Sequence, residues 1–416
     1  MSKRAIESII KQDVKTKLKP KLRFPEFREA EGWKAIPLNH LAVRGKQKNR
    51  DEKIVRVLTN SAEFGVLDQR DYFDKDIATQ GKLDGYSVIE LGDYVYNPRI
   101  STTAPVGPIS RNNVATGVMS PLYTIFKFKD RNNDFYAHYF KTTGWHAYMR
   151  QASSTGARHD RMVISSDDFI AMPVPVASPE EQQKIADCLS AVDELIAAET
   201  RKLDTLKTHK KALMQQLFPC EGGSLPSLRF PKFQSIEAWK EEKLGAVCSM
   251  QAGKFVPASE IRMHNAEGLF PCYGGNGLRG YTTTFTHSGK YPLIGRQGAL
   301  CGNVRLGLGK FHATEHAVVV TPENGIAVDW VVYLLDFLNL NQYATGQAQP
   351  GLSVDVLDKL PIVIPNQEAE QLRIAECLTS LDNLIAARTQ KLAVLSTHKK
   401  GLMQQLFPSF TKAKHE

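Results

Sequence analysis

From Ile185 to Leu217 the apolar residues advance in alternating strides of four and three. Ile185, Leu189, Val192, Ile196, Leu203, Leu206, Leu213 and Leu217 keep the stride, and Glu199 and Lys210 are its polar stops. The stride returns at Ile374, Leu378, Leu381, Ile385, Leu392, Leu395, Leu402 and Leu406, with Arg388 and Lys399 as the polar stops. An apolar repeat of 3.5 residues held over more than four heptads predicts a long helix with one seam buried against a partner helix. At 1.5 Å per residue each helix is roughly 50 Å long. The partner is at hand, because Ile185–Pro219 and Ile374–Pro408 align without a gap at 24 of 35 identical positions. The identity includes Thr208, His209 and Lys211, which lie off the seam, so the two stretches are copies of one element. Glu199 and Arg388 fall midway along the seams. They can pair in a parallel or an antiparallel arrangement, which leaves the direction open.

Outside the helices the pattern shortens. Val55–Thr59, Tyr86–Leu91, Asp93–Asn97 and Tyr123–Lys129 alternate as strands do, and Asp134–Gln151 carries aromatic residues at helical spacing. Later in the chain, Tyr291–Gly295 and His316–Val320 predict strands and Ala327–Leu340 a helix. LRFPEF at Leu22–Phe27, followed by Trp33 and Leu38, is echoed by LRFPKF at Leu228–Phe233, followed by Trp239 and Leu244. The duplication therefore runs from the entrance of each unit to its terminal helix, and only the middles differ, the first being longer by 17 residues. Ser178 is placed to cap the first long helix, with Pro179 and Glu180 in its first turn. The predicted fold is α+β: two globular domains separated and joined by two long coiled-coil helices, with pseudo-twofold internal symmetry. The divisions are a short basic segment at 1–21, with a short helix expected over Ala5–Lys19, a first globular domain at 22–178 and a first helix at 179–219. A Gly/Ser/Pro linker at 220–227, a second globular domain at 228–365, a second helix at 366–408 and a polar tail at 409–416 complete the chain.

Composition adds bounds. Of 416 residues 42% are apolar and 23% charged, enough for several packed domains, and the net charge of +9 suits nucleic acid or an acidic partner. No apolar run approaches a membrane span and the basic start has no apolar signal core, so a cytoplasmic protein without a membrane partner is expected. The six cysteines (188, 220, 248, 272, 301 and 377) form no CxxC pair and read as buried thiols.

Polar clusters concentrate in the inserts. Tyr273–Tyr281 contains Asn276 and Arg279 among glycines, and Gly295–Asn303 contains Arg296, Gln297 and Asn303. Arg, Gln and Asn can bond to base edges while glycine lets the backbone turn tightly or approach a ligand closely; hairpin turns are the competing explanation. Thr345–Ser353, with Gln347 and Gln349, makes a third loop, and its counterpart in the first insert, Ser154–Arg161, carries Arg158 and Arg161. Arg44, Lys46, Lys48 and Arg50 form a basic run, and Asn97 and Arg99 a strand-end cluster. These fifteen side chains are the candidate DNA contacts; for the basic run a merely solvated face is the alternative. Catalytic signatures are missing: no phosphate loop, no glycine motif followed by an NPPY-type tetrapeptide and no HExxH. Asn97-Pro98-Arg99 opens like such a tetrapeptide but continues with Ile100, which cannot stack on a flipped base. His312 and His316 flank Glu315 in an extended segment that does not suit a metal pair, and His209 and His398 read as a polar helix face toward a partner. No catalytic residue, metal or cofactor is expected.

This architecture resembles the specificity subunit of type I restriction-modification systems. The resemblance spans about Leu22 to Phe410. It rests most on Pro173–Ile185 with Glu181 and Gln182, on Pro361–Ile374 with Glu370 and Gln371, on the KALMQQLFP and KGLMQQLFP endings, and on TGQAQPGLS at Thr345–Ser353. It implies that each insert is a target recognition domain for one half of a split, asymmetric sequence in double-stranded DNA. It further implies that antiparallel helices set the unread spacer and support two methyltransferase subunits, with restriction subunits joining through the complex. The implied subunit contacts are Glu181, Gln182, His209, Lys210, Lys211, Glu370, Gln371, His398, Lys399 and Lys400. Two other readings stay open at this point: a coiled-coil adaptor that holds two protein-binding domains, and a specificity subunit of a methylation-only complex.

Overall fold

A computed structural model describes residues 18–72, 83–155, 160–298, 300–346 and 350–408. The helix expected over Ala5–Lys19 and the polar tail thus lie outside the described residues, apart from Leu18, Lys19 and their successors. The long helices run over Pro179–Leu217 and Glu368–Leu406. Ser178 caps the first, its Oγ accepting from Glu181 N at 3.3 Å. The chain divides into two compact units, one comprising the chain up to Ala198 and from Leu392 onward, the other Glu199–Lys391. The division cuts through the helices rather than at their ends, so each helix contributes one half to each unit.

In the first unit, the strands Ala42–Arg44, Thr124–Phe128, Tyr94–Tyr96 and Ile109–Arg111 form a four-stranded antiparallel sheet in that order. The helix expected over Asp134–Gln151 is two, Asp134–Tyr139 and His146–Ala152. Thr142 breaks it: its Oγ1 donates to Tyr139 O at 2.7 Å and accepts from Gly144 N at 3.2 Å, which closes a turn in place of the helical ladder. The core is aromatic. Trp33, Phe135 and Tyr139 surround Phe407, with ring centroids 6.4, 5.1 and 5.8 Å from it. The unit is thus closed by the far end of the second long helix, and Leu22 N donates to Gln405 O at 3.0 Å.

The second unit repeats the arrangement with the end of the first long helix. Phe218 lies 4.9 Å from Phe337, 6.2 Å from Trp330 and 6.4 Å from Trp239, and Leu228 N donates to Gln216 O at 2.9 Å. Its sheet has six strands: Cys248–Ala252, Ala317–Pro322, His287–Gly295, Val304–Ala313, Phe270–Gly274 and Gly277–Thr282, in spatial order. The helix Val328–Phe337 packs beneath it, its buried Trp330, Val331, Leu334 and Leu335 in the core. Both units are therefore α+β, and in each the long helices touch.

Both units use the same devices at the helix ends and seams. Arg23 donates twice to Glu181, at 2.7 and 2.7 Å, and Trp33 Nε1 adds a third bond to that carboxylate at 3.0 Å. Arg229 donates twice to Glu370, at 2.7 and 2.8 Å, with Trp239 Nε1 at 3.2 Å. Within the second unit Glu199 accepts from Arg388 at 2.7 Å and Lys391 at 2.9 Å, and Lys210 donates to Asp382 at 2.7 Å. Later residues of one helix thus meet earlier residues of the other, so within this unit they run antiparallel. The hydrogen bond from Lys391, helped by Arg388, lowers the Glu199 pKa to about 2. Its contribution is complete above its ordinary value of 4.5 and is lost as pH falls through about 2. In the first unit Lys399 pairs with Asp193, the counterpart of the Lys210–Asp382 bond.

Each of these lysine–aspartate bonds also meets a helix of the globular part, with a different residue. In the second unit Tyr333 OH donates to Asp382 at 2.7 Å. In the first, His138 lies 4.0 Å from Asp193, and its Nε2 is 3.1 Å from Ser190 Oγ. Burial, reinforced by the charges of Lys141 and Lys399 against those of Asp193 and Asp134, lowers the His138 pKa to about 4. The unfolded chain therefore binds a proton that the folded unit refuses, and stability falls as pH drops from about 6.5 to about 4. The expected loss is roughly 3 kcal/mol. Denaturant titrations at pH 7 and pH 4.5 should show it in the first unit's transition, and His138→Gln should reduce it.

Candidate nucleic-acid interface

In the second unit the strand His287–Gly295 runs out into Arg296, Gln297 and Gly298, and three segments converge on that stretch. Arg296 N donates to His316 O, Leu352 N to Arg296 O and Gly298 N to Pro350 O, each at 2.9 Å. Gly275 reaches the same place: a Cβ at Gly295 would stand 1.8 Å from its carbonyl oxygen, so only glycine fits at 295. Two of the glycine-rich clusters seen in the sequence, together with the described ends of Thr345–Ser353, are thus one structure. Between them lies a groove of about 390 Å³ walled by Asn276, Arg279, Gln297 and His316. Asn276, Arg279 and Gln297 are exposed; Arg296 and Asn303 are half-buried. The Arg296 Nε is buried and meets no acceptor among the described residues. In the sequence His316 reads only as half of an unsuited metal pair, and no composition signal marks it as a groove residue. Its Nε2 sits 3.2 Å from Glu315, whereas His312 is buried, with Thr284 Oγ1 and Lys254 O at 3.0 Å.

In the first unit the corresponding stretch follows the strand Tyr94–Tyr96. Ile100 N donates to Asp160 O and Met162 N to Pro98 O, each at 2.9 Å, and Arg99 faces Arg161 across an antiparallel bridge. Arg99 and Arg161 are both exposed. Register puts part of the basic run nearby. Arg44 pairs with Phe126 and Phe126 with Tyr94, so the chain beyond Arg44 and the chain beyond Tyr96 leave the sheet at the same end. Lys46, Lys48 and Arg50 are exposed there, Lys48 Nζ reaching Ser87 Oγ at 2.9 Å, while Arg44 bonds to Ser166 Oγ. Arg158, Gln347 and Gln349 lie outside the described residues.

Several expected contacts are corrected by burial. Asn97 is 9% exposed; its Nδ2 donates to Asn60 O and its Oδ1 accepts from Arg99 N, so it ties the turn rather than facing outward. Glu181, Glu370 and Gln371 are each 1% exposed and face inward, the carboxylates to Arg23 and Arg229, the amide to Ala327 N at 2.8 Å. Gln182 Nε2 donates to Ala177 O at 2.9 Å, and Lys210 and Lys399 are engaged by Asp382 and Asp193. Of the residues assigned to subunit contact, His209, Lys211, His398 and Lys400 remain outward. The six cysteines are free, Cys220 exposed and Cys188 and Cys377 half-buried, so the expectation of burial holds fully only for Cys248, Cys272 and Cys301.

The sequence profile described as "Type I restriction modification DNA specificity domain" matches residues 92–208 and 236–397, about two thirds of the chain and parts of both copies. The chain belongs to that family. The matched domain is by its description a DNA specificity domain, and among the described residues no group of three or more His, Cys, Asp or Glu is placed to hold a metal. Among the relatives is the EcoprrI specificity subunit of Escherichia coli, 45% identical over 159 residues, which are 38% of this chain and 39% of that one. The MjaVIII specificity subunit of Methanocaldococcus jannaschii is 25% identical over 328 residues, 72% and 75% of the two chains. The specificity subunit from M. genitalium has the same fold, with a TM-score of 0.62 over 95% of this chain and 100% of that one at 16% identity. A second solved type I chain gives 0.53 over 94% and 99%, also at 16% identity. Among the described residues no helix is long and apolar enough to cross a membrane.

Proposed function

We propose that this specificity-family chain binds an interrupted, asymmetric sequence in double-stranded DNA, each unit reading one half-site. The observation that carries the reading is the pair of exposed polar crossings, one per unit, built on a duplicated scaffold with different side chains. Lys46, Lys48, Arg50 and Arg161 neutralise phosphates in the first unit, and Arg279, Gln297 and Asn276 face base edges or phosphates in the second. The paired helices form an antiparallel coiled coil whose length fixes the unread spacer, in a pseudo-twofold arrangement. Methyl transfer and ATP-driven cleavage come from partners: two methyltransferase subunits docked over the outward His209–Lys211 and His398–Lys400 faces, and restriction subunits joining through the complex.

Binding of a labelled duplex pool by the chain with its methyltransferase partner, measured from 50 to 200 mM salt, tests the reading. With six to ten phosphate contacts, affinity should fall by about 10³- to 10⁵-fold over that range. Weak, salt-independent binding would instead favour an adaptor for protein partners.

A further inference from the structure

The backbone crossing has one register in both units. Pro98, Arg99 and Ile100 bond to the Asp160–Met162 segment in the pattern by which Arg296, Gln297 and Gly298 bond to Pro350–Leu352, and the bridges pair Arg99 with Arg161 and Gln297 with Gly351. The two three-residue stretches are therefore one structural position filled by two sequences. At its centre stands Arg99 in one unit and Gln297 in the other, both exposed. Backbone bonds on either side hold each of them, and Asn97 Oδ1 also accepts from Arg99 N at 3.0 Å, so the side chain starts from a fixed platform. The neighbourhood points to a ligand of particular chemistry. Arg99 and Arg161 are cross-strand neighbours of like charge; Asp160, 3.7 Å from Arg161 Nε, offsets part of that repulsion, and an anion or an electron-rich edge beside Arg99 would offset the rest. Gln297 borders the groove with Arg279 and Asn276, while Gly351 across the bridge presents no side chain.

Resting on the reading of this chain as a duplex reader, we propose that Arg99 and Gln297 are the equivalent base-reading residues of the two units. Arg99 selects guanine through its O6 and N7, Gln297 selects adenine through its N6 and N7, and Arg161 holds a phosphate beside Arg99. One scaffold position thus supplies a different base preference to each half-site by a change of side chain alone.

The test maps the methylated sequence made by the chain with its methyltransferase partner for the wild type, Arg99→Gln and Gln297→Arg. Arg99→Gln should exchange guanine for adenine at one position of one half-site and leave the other half-site unchanged; Gln297→Arg should do the converse in the other half. In binding to duplexes that vary at that base, Arg99→Ala should lose about 5- to 150-fold of discrimination. Arg161→Ala should weaken all sequences alike and make the salt slope shallower by about 1. An unchanged methylated sequence in both exchange variants would overturn the proposal. So would a uniform loss with a shallower salt slope in Arg99→Ala, the behaviour of a phosphate contact. Loss of cooperative melting in Arg99→Ala would also overturn it, by making the position structural. A wild-type complex that yields no two-part sequence would defeat the underlying reading instead.

Discussion

Replacing Glu181 by alanine is expected to lower the stability of the first unit by about 3–5 kcal/mol, because it strands a buried guanidinium. The Arg23 and Glu181 side chains are 5% and 1% exposed, so water cannot take over the two bonds lost from Arg23, and Trp33 Nε1 loses its acceptor too. Glu370→Ala should do the same to the second unit through Arg229, whose side chain is 8% exposed. Denaturant unfolding followed unit by unit should show each variant shifting its own transition. The double replacement Arg23→Met with Glu181→Leu should recover most of the loss, since removing both charges removes the desolvation problem with the attraction. A Glu181→Ala variant that melts like the parent would show that the triad contributes nothing to the fold.

Ending the chain at Lys400 is expected to abolish cooperative unfolding of the first unit, although the cut lies more than 200 residues from that unit's sheet in sequence. The missing stretch holds Leu406 and Phe407, 2% and 6% exposed, together with Leu402 and Met403 packed against the same core. Losing two such buried side chains costs upwards of about 5 kcal/mol, comparable with the whole stability of an ordinary domain. Phe407→Ala alone should cost about 3–5 kcal/mol in the first unit, and Phe218→Ala a similar amount in the second. Hydrogen exchange on the truncated chain is the measurement, and retained protection in Tyr94–Tyr96 and Thr124–Phe128 would refute the closure.

The same closure explains why the sequence was readable where it was. The long helices were legible because a 3.5-residue stride over ten positions has few other meanings. The strands were legible in place but not in length: Tyr86–Leu91 and Asp93–Asn97 shrink to Ser87–Ile89 and Tyr94–Tyr96 because alternation continues past the last ladder bond. The break at Thr142 was hidden, since apolar spacing runs across it and only a hydroxyl bond ends the helix. Repetition misled most. Glu181, Glu370 and Gln371 are buried because each copy closes its own unit, and the half-buried Lys210 and Lys399 are engaged across the seams, yet recurrence by itself reads equally well as a shared partner surface. Burial separates the two cases, and burial of a charged residue is nearly invisible in sequence.

The groove was partly legible for the opposite reason. Glycine at 295 records a backbone approach that no other residue permits, which the glycine-rich pattern signals as close approach, whereas the convergence of the clusters on one another is set by the sheet. Asn97 was not legible, because an asparagine that faces a base and one that ties a turn look alike until Asn60 is seen beside it. His316 entered the groove by way of a turn between strands, a placement set by register across the sheet rather than by local pattern.

On the proposed reading the two units read two unlike half-sites at a fixed separation. Single-molecule sequencing of DNA from cells carrying this chain with its methyltransferase partner, compared with cells lacking the chain, tests it most directly. Methylation dependent on this chain is expected at one asymmetric sequence of two parts separated by a constant number of unspecified bases. Methylation at a single uninterrupted sequence, or none from an assembled complex, would contradict it.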